Sequence, residues 1–259
     1  MEIWQAIILG AVQGFAEFLP ISSSGHLILL QHWFGITEHT IFYSIVLHVG
    51  TLIPVIVVLW KEIIGLFRRP LNKLWCLVIA TIPAGLVGII LSVVFDIDAL
   101  FANHIWLLAI TFMFTAGELI FAEYYSKKAN LSNSINYKTG LIMGLGQAVG
   151  VFPGISRSGT TVSAGAIARV NKEDNANFTF IMSIPIILAA LLMEGVDMVK
   201  AGSIGDIQVL PLLFGFITAM ITGYIAIKFM LKIIRKANYK WFSLYLVGIS
   251  IATVITAVI

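Results

Sequence analysis

Gln13-Gly-Phe-Ala-Glu17-Phe-Leu-Pro20-Ile-Ser22-Ser23-Ser24-Gly25-His26 breaks into an otherwise apolar stretch near the start of this chain. A near-copy, Gln147-Ala-Val-Gly-Val-Phe-Pro153-Gly154-Ile155-Ser156-Arg157-Ser158-Gly159-Thr160-Thr161, does the same farther on. One offset of 134 residues carries Gln13 to Gln147, Ser22 to Ser156, Gly25 to Gly159 and Gly10 to Gly144 without a gap. Between the matched serines the copies differ: Ser23 in the first stands where Arg157 stands in the second. Polar and charged residues at membrane depth are costly and usually functional, so this pair of breaks decides both the fold and the site.

Composition sets the surroundings. The chain is 59% hydrophobic and only 11% charged, with a mean hydropathy of +0.98, whereas a soluble domain carries about a quarter charged residues. The apolar stretches are unbroken rather than alternating, which excludes a β-barrel and leaves an all-α polytopic membrane protein. Met1-Glu2-Ile3-Trp4 lacks the basic leader of a signal peptide, so the first apolar stretch is expected to stay in the mature protein. Cys76 is the sole cysteine, which rules out an internal disulfide. A net charge of +3 does not point to nucleic acid, because most Lys and Arg sit in short loops, as topology requires.

Six apolar segments (41–60, 74–95, 104–121, 177–193, 209–230 and 241–259) approach the roughly 20 residues that span a bilayer. Four shorter ones (3–19, 22–34, 138–152 and 158–170) form two pairs, each broken at one copy of the motif by Pro20 or Pro153 with neighbouring Gly and Ser. Lys61, Arg68, Arg69 and Lys73 crowd one loop, Lys127, Lys128 and Lys138 another, and Lys228, Lys232, Arg235, Lys236 and Lys240 a third. These loops are expected on the cytoplasmic side, and those holding Asp96 and Asp98, or Glu194, Asp197, Lys200 and Asp206, on the other. Three crossings then separate the two broken hairpins, and an odd number inverts one relative to the other. The expected architecture is a single membrane domain with inverted-topology repeats. Residues 1–121 and 138–259 form the two repeats, joined by a cytoplasmic loop over 122–137; each repeat is a re-entrant hairpin followed by three spans, and both termini lie outside. Trp60, Trp75, Trp106, Tyr239 and Trp241 read as interfacial belts.

The motifs supply the chemistry. A guanidinium amid Val, Phe, Ile and Gly needs an anion. Glu17 could serve purely structurally, but Gly154, Ser156, Ser158, Gly159, Thr160 and Thr161 add hydroxyls and amides at a helix start, a cradle for phosphate oxygens. Gln13 and Glu17, four apart, share a helix face and suit a hard divalent cation, Mg²⁺ or Ca²⁺, while Glu17 alone could also just neutralise Arg157. Of Ser22, Ser23 and Ser24, one is expected to cap the following helix. His26, three residues after Ser23, could act as base or acid. His48, Glu118, Gln31 and His32 read as ordinary polar residues of apolar segments. No Walker loop, zinc signature or GxGxxG is present.

Gln13-x-x-x-Glu17 with Pro20-Ile-Ser-Ser-Ser-Gly-His26, joined to Pro153-Gly-Ile-Ser-Arg-Ser-Gly-Thr-Thr161, resembles the undecaprenyl-diphosphatase family, the bacitracin-resistance type of integral membrane phosphatase. The resemblance spans essentially the whole chain. It implies conversion of undecaprenyl diphosphate to undecaprenyl phosphate, the lipid carrier of peptidoglycan synthesis, and with it bacitracin resistance. It further implies a divalent metal, an inverted-repeat fold in the bacterial inner membrane and a site open toward the outer face. By motif, its functional residues fall on Gln13, Glu17, Ser23, His26 and Arg157; the family accepts Glu or Gln at the first position, and here it is Gln13. The implied partners are a polyprenyl diphosphate and membrane lipids, and a homodimer is allowed. The nucleophile stays open among Ser23, His26 and water. The rival class is a transporter or flippase of an anionic lipid, since inverted repeats with broken helices also build carriers. A carrier needs the cation but not the nucleophile and base.

Overall fold

The computed structural model describes residues 1–36, 40–95, 97–201 and 208–258. Thirteen helices run through them: α1 (Ile3–Phe18), α2 (Ser23–Trp33), α3 (Thr40–Val58), α4 (Trp60–Leu66), α5 (Asn72–Val94), α6 (Ile97–Asn103), α7 (Trp106–Lys128), α8 (Tyr137–Val149), α9 (Arg157–Ile167), α10 (Lys172–Ile181), α11 (Ser183–Ala201), α12 (Val209–Lys236) and α13 (Lys240–Val258). There is no strand among the described residues, only an isolated bridge between Asn133 and Val170. Five of the helical stretches are long and apolar enough to cross a membrane, and a sixth if α3 and α4, bent by 82°, count as one span. Prolines lie inside α3 (Pro54) and α5 (Pro83), as membrane helices tolerate.

Both short pairs are broken hairpins, stopped where the sequence predicts. The residue before Pro20, Leu19, turns extended at ψ 144°, and Ser22 adopts a left-handed φ of 67° before α2 begins. Gly154 makes the matching turn at φ 83° ahead of α9. Each second arm opens with the same device: the hydroxyl of Ser22 or Ser156 accepts from the amide of Gly25 or Gly159.

The repeats interlock. α1 lies along α12, and α8 lies along α5, so each hairpin packs on a span of the other half. Small residues set these approaches: a Cβ on Gly10 would stand 2.3 Å from the Gly215 carbonyl oxygen, and one on Gly144 only 2.4 Å from that of Ala80. The hairpin tips meet where a Cβ on Gly25 would sit 2.8 Å from Gly154 Cα.

Contacts at the two ends sort the helix connections onto two faces. Arg235 donates to Glu173 at 3.0 Å, the amides of Tyr239 and Lys240 donate to Glu123, and Lys61, Lys73, Ile135 and Asp174 line one cleft. The connections α4–α5, α7–α8, α9–α10 and α12–α13 therefore share one face. At the opposite face Trp4 meets Phe34 with ring centroids 5.2 Å apart, and the Trp33 indole donates to Thr256. The open end of the first hairpin lies there, and that of the second on the loop-rich face.

Hydropathy misses what leaves the apolar core. The loop expected at 61–73 begins with the helix α4, and α6 occupies part of the next one. α7 continues past 121 to Lys128, supported by Glu123 and Lys127 one turn apart, so the connection expected at 122–137 shortens to 129–136. The span expected at 177–193 starts at Lys172, where Asn171 caps a polar first turn, and is interrupted at Met182. Tyr239 is buried rather than interfacial, packed in the core below the Glu123 contact, whereas Trp60, Trp75, Trp106 and Trp241 are exposed as a belt requires. Asp96 and Asp206 lie outside the described residues, as do the side chains of Asp98, Glu194, Asp197 and Lys200.

Candidate active site

Glu17 is the hub. It closes the last turn of α1 with its side chain only 3% exposed, and every polar group around it comes from a different direction. From one turn earlier Gln13 Nε2 donates to Oε2 at 3.1 Å; from the start of α2, Ser23 Oγ donates to the same oxygen at 2.6 Å. The other oxygen, Oε1, accepts from Arg157 Nη2 at the start of α9, which joins the two halves of the repeat in one ion pair. His48 Nε2 on α3 stands 3.5 Å from Oε2. The second copy of the motif has Val151 where the first has Glu17, so the carboxylate exists once and the arginine once.

Burial of such a pair does not by itself stabilise a fold, since two desolvation penalties offset the Coulomb attraction. The pair is also incompletely used. Arg157 Nη1 is buried with no hydrogen-bond partner, and so is Gln13 Oε1. A donor on the guanidinium and an acceptor on the amide are left over within one cluster. A water-sized cavity of about 10 Å³ lies beside it, between Glu17 and Arg157 on one side and Thr179 and Ser183 on the other.

The remaining motif residues serve mainly to hold this arrangement. Ser158 Oγ donates across the hairpins to the Leu19 carbonyl at 3.3 Å. Thr160 and Thr161 hydroxyls bond back to the carbonyls of Ser156 and Arg157, and Ser24 lies 3.4 Å from Ser22. Thr115 of α7 donates to the Gly154 carbonyl and accepts from the Ser156 amide, pinning the turn. The phosphate cradle expected over 154–161 is therefore narrower than its hydroxyl count suggests. The donors left for an oxyanion are Arg157 Nη1 and the first-turn amides of Arg157 and Ser158, which an α-helix cannot pair internally.

His26 sits apart from Ser23. One ring nitrogen, Nδ1, is 2.8 Å from the Ser22 carbonyl, which can only accept, so Nδ1 carries the proton. Nε2 then accepts from the Tyr245 hydroxyl of α13 at 2.8 Å, with the two rings stacked. Nε2 thus ties α2 to α13, while Nδ1 closes onto the cap of its own helix. Glu118, in the middle of α7, has one buried carboxyl oxygen without a partner. Sequence reasoning missed Tyr245, Thr115 and His48 as neighbours of the motifs. His48 had one visible signal, a lone imidazole in an apolar span.

Among the described residues no three His, Cys, Asp or Glu side chains gather as a metal cluster. A hard cation nevertheless fits the Glu17 corner, because the unpartnered Gln13 Oε1 belongs to an amide that already touches Glu17 Oε2.

Comparison with known proteins identifies the family. Residues 6–252 match the family model described as bacitracin resistance protein BacA. The chain is 38% identical to an undecaprenyl-diphosphatase of Carboxydothermus hydrogenoformans over 97% of both chains. It is 39% identical to one of Methanobrevibacter smithii over 96% of each, and 38% identical to one of Bacteroides fragilis over 99% of each. With both copies of the motif inside the matched region and near-complete coverage of its relatives, the chain belongs to the BacA family.

Proposed function

We propose that this protein is a membrane phosphatase that converts undecaprenyl diphosphate to undecaprenyl phosphate, recycling the lipid carrier of cell-wall synthesis and so conferring bacitracin resistance. One observation carries the reading beyond family membership. A hydroxyl from one repeat, Ser23, and a guanidinium from the other, Arg157, meet on the two oxygens of a single buried carboxylate. A carrier of anionic lipid needs the guanidinium but not an aligned hydroxyl.

The chemistry follows from those contacts. Arg157 Nη1 and the first amides of α9 bind oxygens of the terminal phosphate while Nη2 keeps Glu17 in place. Ser23 Oγ attacks the terminal phosphorus, its proton passing to Glu17 Oε2, and the bond to the bridging oxygen breaks to release undecaprenyl phosphate. Water then attacks the phosphoserine, Glu17 returns the proton to Ser23, and inorganic phosphate leaves. Phosphoryl transfer depends chiefly on positioning and charge stabilisation, which this cluster supplies. Gln13 and Glu17 would hold Mg²⁺ or Ca²⁺, whose charge offsets that of the diphosphate. His26 acts through position, fixing the start of α2 against Tyr245.

The Lys/Arg-rich face is assigned to the cytoplasm, which puts the open end of the first hairpin on the outer side of the cell membrane. The polyprenyl tail lies in lipid, against the exposed apolar surface of the spans.

The test is phosphate release from a polyprenyl diphosphate by purified protein in detergent, with and without EDTA. Wild type should release phosphate in an EDTA-sensitive manner, and Glu17→Ala and Ser23→Ala should not. Proteoliposomes that move the lipid while releasing no phosphate would overturn the enzyme in favour of a carrier.

A further inference from the structure

His48 has no place in the scheme above, yet it is aimed at its hub. Its Nδ1 lies 2.7 Å from the Ser44 carbonyl, one turn earlier on α3. A carbonyl only accepts, so Nδ1 carries a proton, and in the neutral ring Nε2 keeps its lone pair. Nε2 stands 3.5 Å from Glu17 Oε2, and a carboxylate oxygen is also an acceptor. With the ring neutral, two acceptors face each other, an arrangement that either a proton on Nε2 or a bound cation completes. A third acceptor is at hand: Gln13 Oε1 is fully buried and unpartnered, on the amide whose Nε2 touches the same Oε2 at 3.1 Å. The two ends of an amide are nearly isosteric, so a half-turn of Gln13 brings its oxygen to the position now held by nitrogen and frees a lone pair on Glu17.

We propose that His48 is a ligand of the divalent-cation site, its Nε2 joining Glu17 Oε2 and Gln13 Oε1. The proposal rests on the divalent-metal reading of the Glu17 corner and adds a nitrogen donor from α3. The spacing agrees. Two donors on one cation at about 2.1–2.2 Å, subtending about 90–110°, stand about 3.0–3.6 Å apart. The backbone also agrees, because metal-bound imidazoles regularly donate their other N–H to a carbonyl or carboxylate, which fixes ring and tautomer. In this chain the first position of the α1 motif is the neutral Gln13, which leaves Glu17 as the sole carboxylate, and His48 supplies the donor that a second acid would otherwise give. An imidazole changes the preference of the site: oxygen-only sites suit Mg²⁺ and Ca²⁺, whereas a mixed nitrogen–oxygen set favours Mn²⁺ and later transition ions.

The experiment uses Mn²⁺ as probe on the full-length protein, stripped with chelator, in detergent. Mn²⁺ binding is titrated from the free-ion electron paramagnetic resonance signal, and pulsed spectra of the bound ion report a directly coordinated ¹⁴N. Wild type is expected to show one such coupling, which changes to the ¹⁵N pattern when only histidine is ¹⁵N-labelled; that arm needs no substitution. His48→Gln should lose the coupling, weaken Mn²⁺ binding by about tenfold or more, and lower the preference for Mn²⁺ over Mg²⁺. His26→Gln should keep the coupling. If wild type binds Mn²⁺ in a manner abolished by Glu17→Gln but shows no histidine coupling, the metal reading stands and His48 is only an ion-pair partner of Glu17. If Glu17→Gln leaves Mn²⁺ binding unchanged, the metal is not at this corner and both statements fail.

Discussion

Replacing Arg157 by lysine separates grip on the phosphate from the integrity of the fold. The arginine makes two contacts with different jobs: Nη2 neutralises Glu17, and Nη1, buried and unpartnered, is left for substrate. Lysine keeps the positive charge beside Glu17 but has no planar second donor in a fixed relation to the first. A hydrogen bond to a charged group is worth about 1.5–3 kcal/mol, so its loss should lower kcat/KM by about 10- to 150-fold. The melting temperature should change little, because the buried carboxylate keeps its counter-charge. Arg157→Met differs. It leaves Glu17 buried without its main partner, at a cost of about 3–5 kcal/mol, and the double variant Glu17→Gln/Arg157→Met should recover most of that loss. Phosphate release and thermal melting on the same preparations read both quantities. Arg157→Lys turning over within about twofold of wild type would refute the division of labour between the two nitrogens.

Three further outcomes follow from the packing. Gly144→Ala places a Cβ 2.4 Å from the Ala80 carbonyl oxygen and should cost about 1–3 kcal/mol, whereas Gly85→Ala meets nothing within 4 Å and should be neutral or mildly stabilising; melting of the two variants side by side checks this. Glu123→Ala removes the carboxylate that accepts from the Tyr239 and Lys240 amides at 2.6 and 2.8 Å ahead of α13, and should destabilise by about 1 kcal/mol, seen as faster amide exchange in the first turn of α13. Tyr245→Phe takes the donor from His26 Nε2; it should lower stability by about 1 kcal/mol and alter kcat far less than Ser23→Ala does, so an equal loss in both variants would return His26 to the proton-transfer steps.

Much of this was readable along the chain, for physical reasons that also mark where reading stops. Pro20, Pro153 and Gly154 dictate local backbone, so the hairpin breaks and the Ser22 and Ser156 caps follow from residue type. Loop charge and an odd number of spans lead to the expectation of inverted repeats. Glu17, Ser23 and Arg157 announce themselves because charge and hydroxyls are costly in an apolar setting. What stayed hidden depends on which faces of distant helices meet. The approach of His48 to Glu17 requires α3 to lie against α1, and the pairing of His26 with Tyr245 spans 219 residues. Serine and threonine hydroxyls mislead in the other direction: Thr160 and Thr161 look like phosphate ligands in sequence but satisfy the backbone of their own helix. α4 escaped because hydropathy follows the bilayer, while helix formation continues beyond it.

In the proposed mechanism a hydroxyl from the first repeat attacks a phosphate held by the second. This step is tested most directly by mixing the protein with polyprenyl diphosphate labelled in its terminal phosphate and quenching in acid within the first turnover. Label is expected on the peptide containing Ser23, none on that peptide in Ser23→Ala, and little in Arg157→Lys at the same time point. Labelled phosphate released at full rate with no label on the protein, or label on His26, would contradict the mechanism.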